Sequence, residues 1–374
     1  MPPSLINYWE KRGKQTMSFL KTLKSNKPVA TLEGYFISML AKSKYGKTTF
    51  AIDLAKEFYG NLDSTLLLAT EIGYKTMADV YAIPITGFDY AQEDDGEQKG
   101  FIETVDELIE NKADIPFRFI IIDTITALER YAIAYAIRKA NRDDSPKVRY
   151  TDISDVPWGK GYTMTAELIY AQVDRLKKAG FGVFIIGHEK TKKITNRDGF
   201  EYDYTQFNVL GKTGDIIERE ADMIIYGDLQ VEEGEEGQVV SKRLLRFRSD
   251  GNILCGTRFR NFPSVIENDV EVFVETFKNA ILGLYNNDEK AVVEAQKEQE
   301  ADMEQKAENI VKAEKESPQA LKDQIADAIK GFEKAEKMEC GKFFKENLGE
   351  VDYRKSEDVE GLKSALEFVT SLKN

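Results

Sequence analysis

The sequence predicts an α/β fold with a largely parallel central sheet, and three observations carry that expectation. From about residue 33 to 285, short apolar runs rich in β-formers alternate with helix-period segments. Two of those runs, 119–122 and 183–186, are almost continuously apolar, as in strands covered on both faces. A third, over 35–40, leads straight into Ala41-Lys42-Ser43-Lys44-Tyr45-Gly46-Lys47-Thr48-Thr49 and then a helix-compatible stretch, the strand–loop–helix context of a phosphate-binding loop.

In chain order, strands are expected at 35–40, 65–70, 119–123, 182–187, 223–226 and 243–247. Helices are expected at 48–58, 100–111, 126–140 and 162–178. Residues 1–32 form a basic N-terminal segment ahead of a core at 33–285. Residues 286–317 are rich in Glu, Lys, Ala and Gln and read as a charged, solvated helix or linker. After Pro318, apolar residues return at helical spacing (Leu321, Ile325, Ile329, Phe332, then Leu362, Leu366, Val369), so 318–374 is expected to be a small helical module.

Bulk properties narrow the function. Cys255 and Cys340 are the only cysteines and His188 the only histidine, which argues against a disulfide framework and against a zinc site. No run of about 18 apolar residues is present and no secretory leader opens the chain, so a soluble cytoplasmic protein without membrane contact is expected. The formal charge of −13 repels polyanions on average. It is uneven: residues 1–30 carry six basic side chains against one acid, and 286–374 carry 15 basic against 22 acidic. A nucleic acid would therefore have to bind a local groove or loop. Tyr8, Trp9, Met17, Phe19 and Leu20 intersperse the N-terminal charges, so that segment fits a docking element and a solvated tail equally.

In the phosphate loop, the backbone N–H groups of residues 42–49 and the helix N-terminus offer donors and a positive dipole end to phosphates. Lys47 is placed to reach the β and γ phosphates of ATP, and the Thr48 hydroxyl to ligate Mg2+. Ala41 replaces the first glycine of the usual pattern, which is tolerable only where the backbone keeps a negative φ. The strand 119–123 ends in Asp123. Many buried strands end in Asp simply to open a turn, but downstream of a phosphate loop this carboxylate is expected to hold the Mg2+ water shell. Glu71 follows the strand at 65–70 and is a candidate base for the attacking water. His188 follows the strand at 182–187, where a γ-phosphate could be sensed.

These features together resemble the RecA-like ATPases, and most closely phage-type members related to the Sak-group single-strand annealing and recombination proteins. The resemblance rests on Tyr45-Gly46-Lys47-Thr48-Thr49-Phe50, Ala69-Thr70-Glu71, Ile121-Ile122-Asp123-Thr124, Ile186-Gly187-His188-Glu189-Lys190 and Arg246-Phe247-Arg248, and covers roughly 33–265. It implies a RecA-like core, DNA-stimulated ATP hydrolysis with Glu71 as base, and assembly with other copies into a ring or filament. Arg246 and Arg248 would then serve as cationic fingers on a neighbour's ATP, although arginines at 243, 246 and 248 equally suit an edge strand kept soluble. It also implies single-stranded DNA as partner, with a single-stranded-DNA-binding protein as a possible further one, and a host-cell cytoplasm if the chain is phage-encoded. The DNA contact would involve 191–214, which reads as a mobile loop with Lys192, Lys193, Arg197 and Lys212 around Tyr202, Tyr204 and Phe207. Asp198, Glu201 and Asp203 offset that charge, and 138–150 is richer in cations. A nucleotide-gated scaffold recruiting replication proteins, or a helicase or packaging motor, fits the same core.

Overall fold

A computed structural model describes residues 25–89, 99–233 and 239–373. Most of the basic N-terminal segment, including Tyr8, Trp9, Met17, Phe19 and Leu20, lies outside the described residues.

The strands are β1 (Phe36–Ala41), β2 (Thr65–Ala69), β3 (Tyr81–Gly87), β4 (Lys99–Gly100), β5 (Phe119–Asp123), β6 (Gly182–Thr195), β7 (Glu201–Phe207), β8 (Met223–Glu233), β9 (Val239–Arg246), β10 (Gly256–Thr257) and β11 (Val265–Glu267). They join into one sheet in the order β11-β9-β8-β1-β6-β5-β2-β3-β4, with β10 on β8 and β7 on β6. From β8 to β4 every neighbour is parallel, while β9, β10, β11 and β7 add antiparallel partners. This is the expected α/β fold with a mostly parallel central sheet, followed by helices at the C-terminus. The strand carrying the phosphate loop and the strand ending in Asp123 are separated by β6, and all three end on the same side.

Period-two alternation builds the two faces. Phe36, Leu40, Ile120, Ile122, Val183 and Ile185 point to one face, where they meet α2 (Phe101–Glu110), α3 (Ile125–Asp144), α4 (Lys160–Lys178) and α5 (Gly211–Glu220). Ile37, Met39, Ile121, Phe184 and Ile186 point to the other, against α1 (Lys47–Tyr59) and α6 (Val270–Leu284). The second face is dominated by aromatics, with Phe247 and Phe262 rings 4.6 Å apart and Phe259 and Phe277 rings 5.0 Å apart, edge to face. Each such side chain removed from water contributes about 1.5–3 kcal/mol, so this layer anchors α6 firmly beside the phosphate-loop helix.

Local signals set the helix ends. Gly60 closes α1 in the left-handed region at φ 74°, its N–H donating to the Lys56 carbonyl. The Thr124 hydroxyl accepts from the Ala127 N–H to start α3, and the Asp269 carboxylate accepts from the Val272 N–H to start α6.

Beyond the core, α7 (Glu289–Lys315) leads to α8 (Pro318–Ile329), α9 (Lys334–Asn347) and α10 (Val359–Lys373). The last three enclose their own apolar cluster of Leu321, Ile325, Phe344, Leu362 and Val369. The charged segment forms α7, most of whose residues are exposed; it buries Ala295 and Ala307 and rests Met303 on Gly34 and Gly180. The expected mobile loop at 191–214 is also absent: β6 runs on past the core and pairs with β7 as an antiparallel hairpin, and α5 begins at Gly211. β9 ends at Arg246, so Arg248 lies beyond the strand.

Candidate nucleotide site

β1 ends at Ala41, whose Cα pairs with His188 of β6 and Gly227 of β8. Ala41 keeps a negative φ, and the positive φ values of this loop fall on Lys44 (64°) and Gly46 (105°). The methyl of Ala41 is therefore unstrained, and the space for it comes from Gly227: a Cβ there would lie 2.8 Å from the Ala41 Cβ and 2.6 Å from Tyr45 Cε1. Tyr45 is buried under the loop and donates its hydroxyl to the Leu244 carbonyl at 2.7 Å, which ties the loop to β9.

Lys47 opens α1, is 6% exposed, and donates Nζ to the carbonyls of Ala41 and Lys42, both at 3.0 Å. Burial pulls its ammonium below the ordinary lysine value, while Asp123, Glu189 and Glu71 pull it back up. Thr48 donates its hydroxyl to Asp123 Oδ2 at 2.7 Å. Asp123 is 7% exposed, and burial raises its carboxyl above the usual range; Glu71 pushes the same way, and the Thr48 hydroxyl, Lys47 and His188 oppose it.

The tips of β2 and β5 are stitched together. Thr70 N–H donates to the Asp123 carbonyl at 2.8 Å, and the Thr70 hydroxyl donates to the Thr124 carbonyl at 2.9 Å while accepting from the Thr124 N–H at 2.7 Å. This fixes the start of the next loop, where Glu71 Oε1 accepts from the Thr124 hydroxyl at 3.2 Å and Oε2 lies 3.5 Å from His188 Nε2. His188 N–H donates to the Thr126 hydroxyl, and its Nδ1 is buried with no partner among the described residues. The structure thus brings Lys47, Thr48, Asp123, Glu71 and His188 to one end of the sheet. Sequence reasoning gave no role to Glu189, which lies close enough to Tyr226 to add to burial in raising its phenol and leaves Oε2 buried without a partner among the described residues.

The arginines of the late strand are engaged within their own chain. Arg246 Nε donates to Asp228 Oδ2 at 2.7 Å, and Arg248 donates to the carbonyls of Thr257, Phe259 and Arg260 at 3.3–3.5 Å. Both are committed within their own chain. Arg243 is the arginine of this strand that approaches the loop, with Nη1 3.9 Å from the position of a Cβ at Gly46. An ion pair set by strand register leaves no signal in sequence spacing.

The hairpin sorts the charges that the sequence shows as mixed. Cross-strand pairing sets Lys192 against Tyr204 and Ile194 against Tyr202 on one face, and Lys193 against Asp203 and Thr195 against Glu201 on the other. Arg197 lies at the exposed hairpin turn and Lys212 in the first turn of α5, both exposed. In the cation-rich stretch after α3, Val148 is 81% exposed between Lys147 and Arg149; Trp158, which the sequence reading did not single out, is 93% exposed just before Lys160.

The donors present suit a hard cation and a polyphosphate: a hydroxyl and a carboxylate 2.7 Å apart, beside a buried lysine at a helix N-terminus. No helix among the described residues is long and apolar enough to cross a membrane. No curated protein matches the chain. Among solved structures, that of flagellar accessory protein FlaH from Methanocaldococcus jannaschii aligns at 15% identity over 62% of this chain and 84% of that one, with a TM-score of 0.30. The profile of an AAA-domain family matches residues 33–259, well over half of the sequence and all of the site just described, and the protein belongs to that family of P-loop ATPases.

Proposed function

We propose that the protein hydrolyses Mg-ATP and couples hydrolysis to single-stranded DNA in phage-type recombination, annealing or repair, in the cytoplasm and as a ring or filament of copies. The observation that carries the ATPase reading is the Thr48–Asp123 hydrogen bond beside buried Lys47, with Glu71 bonded to the adjoining Thr124.

In this reading residues 42–49 cradle the triphosphate through backbone N–H groups, and Lys47 exchanges the carbonyls of Ala41 and Lys42 for the β and γ phosphates. Thr48 and Asp123 hold Mg2+, which when bound neutralises charge developing on the phosphates. Glu71 orients the attacking water and accepts its proton. His188, hydrogen-bonded to Glu71 and leading directly into the hairpin, passes the state of the γ-phosphate to β6 and β7. Arg243 supplies a cation from within the chain. Arg246 and Arg248 serve a neighbour's nucleotide only on leaving their present partners.

The DNA reading is supported by Lys192 and Tyr202 on the hairpin, where Tyr204 of the same face packs against the core, by exposed Arg197 and Lys212, and by exposed Trp158 among cations. Cations track the backbone and aromatics stack bases. Phosphate release titrated with a single-stranded oligonucleotide tests it, with Lys47→Ala as control. Hydrolysis should rise with DNA, the stimulation should weaken steeply with salt, and both should vanish in the control. Turnover indifferent to DNA would leave an ATPase with another partner. The separately packed module of α8, α9 and α10 favours a second reading, a nucleotide-gated scaffold for replication proteins, which requires ATP binding but survives Glu71→Gln.

A further inference from the structure

At the end of the sheet opposite the phosphate loop, α7 crosses the core and leaves a groove of about 810 Å³ beneath it. Its floor is apolar, formed by Ile109 and Phe117 of the core with Met303 and Val311 of α7. Glu300, Glu304 and Glu308 recur every four residues along the same helix and line the groove with Glu110 across from them. Lys112, Arg118, Lys312 and Lys315 also line it.

The described chain enters at this groove. Lys27 Nζ pairs with Glu298 Oε2 of α7 at 3.2 Å, and the Pro28 carbonyl accepts from the Tyr285 hydroxyl at 2.8 Å, so residue 27 is held one residue away from where the groove-lining stretch of α7 is already under way. The residues ahead of Ser25 carry Lys11, Arg12, Lys14, Lys21 and Lys24 against Glu10 alone, with Tyr8, Trp9, Met17, Phe19 and Leu20 among them. Extended, that length reaches up to roughly 80 Å, against roughly 30 Å for the groove-lining stretch of α7 from 296 to 315.

We propose that this groove is the docking site of the chain's own N-terminal segment, residues 1–24, with its basic residues on the Glu300–Glu304–Glu308 stripe and its apolar residues on the floor beneath α7. The match is threefold: opposite charge, an apolar floor for aromatic and aliphatic side chains, and an entry point beside the groove. Because α7 leads directly into α8 of the C-terminal module, the docked segment joins the two ends of the sequence on the face away from the nucleotide. The proposal does not depend on the ATPase reading.

The chain has two tryptophans, and Trp158 is 93% exposed, so Trp158→Phe disturbs no packing and leaves Trp9 as the only reporter. In the full chain carrying that change, Trp9 emission should be blue-shifted and its quenching by acrylamide several-fold weaker than in a free peptide of residues 1–24. The protection should be independent of protein concentration and lost as salt is raised. Adding Glu304→Lys and Glu308→Lys, both at exposed positions, should move the docking equilibrium about tenfold toward the free segment. Circular dichroism confirms that these variants keep the fold. Trp9 quenched as readily as in the peptide at low salt overturns the proposal, and so does protection that survives both charge reversals. Protection that appears only as protein concentration rises assigns the groove to a second copy's segment and also overturns it.

Discussion

At the carboxyl ends of the strands Lys47 and Asp123 are almost wholly removed from water, and at the amino ends Glu33 and Lys112 line the groove beneath α7. Both pairs titrate abnormally, and in both burial is the leading cause: it raises Asp123 and Glu33 and lowers Lys47 and Lys112, the last to about 8. What differs is the origin of the partners. At the carboxyl end, sheet register brings Thr48, Thr70, Glu71, Thr124 and His188 together from three strand tips and a helix start, around a loop whose backbone is turned to receive anions. At the amino end, Glu33 accepts from the hydroxyl of Thr31 two residues before it, Lys112 lies 3.8 Å over the Phe181 ring, and a helix from much later in the chain closes over them. Abnormal titration therefore does not by itself mark a catalytic centre. Convergence of chemically distinct groups on one open point does.

The largest effect expected at the carboxyl end separates chemistry from binding. Glu71→Gln keeps an acceptor for the Thr124 hydroxyl but cannot take a proton, so kcat should fall about 10²–10³-fold while nucleotide affinity changes less than about threefold. Single-turnover phosphate release and binding of a fluorescent ATP analogue measure the two. A parallel loss of affinity and rate would make Glu71 a structural tie of the β2 and β5 tips, much like Thr70.

A smaller effect tests whether the loop is as tightly supported as its contacts imply. Gly227→Ala would drive a methyl into the Tyr45 ring and the Ala41 side chain, and the ring is pinned by its hydroxyl on Leu244. The expected cost is about 1–3 kcal/mol in urea unfolding, and Ala41→Gly added to it should recover part. At the amino end the equivalent close approach is by the flexible tip of Met303 over Gly34. Undiminished stability in Gly227→Ala would mean the phosphate loop yields as readily as that methionine.

The parts of this fold legible in the sequence are those where burial is two-sided and chemistry is local. The strand Phe119–Asp123 is found with its predicted bounds because four apolar residues and a terminal carboxylate leave no other reading. The phosphate loop is legible for the same reason: its residues are contiguous. The hairpin is not. Lys-Thr-Lys-Lys and Tyr-Asp-Tyr-Thr leave both faces partly exposed and give no apolar period, so only the Asn196 to Gly199 turn signals it. β3 is hidden because Pro84 interrupts it and little of it is buried. The seating of α7 is hidden because its core contacts are sparse along a charged helix, with Ala295, Met303, Ala307, Ile310 and Val311 spread among exposed Glu, Lys and Gln. The Arg246–Asp228 pair and the Glu189–Tyr226 contact are products of register between distant segments, which no spacing rule encodes.

The smallest effect concerns the amino end and fixes the other side of the comparison. Lys112 titrates near 8 when folded and near 10.5 when unfolded. Between those values the unfolded chain binds a proton that the folded chain does not, so this group makes stability rise with pH across that window; below about pH 8 both states are protonated and its slope vanishes. Lys112→Gln removes the contribution. The stability difference between parent and variant, measured by thermal or urea unfolding, should therefore shift toward the parent by about 1–2 kcal/mol from pH 8 to 10, after discounting for partial exposure. A pH-independent difference would mean that water reaches Lys112 freely under α7, and that the amino end is an open cleft rather than the half-covered groove its titration implies.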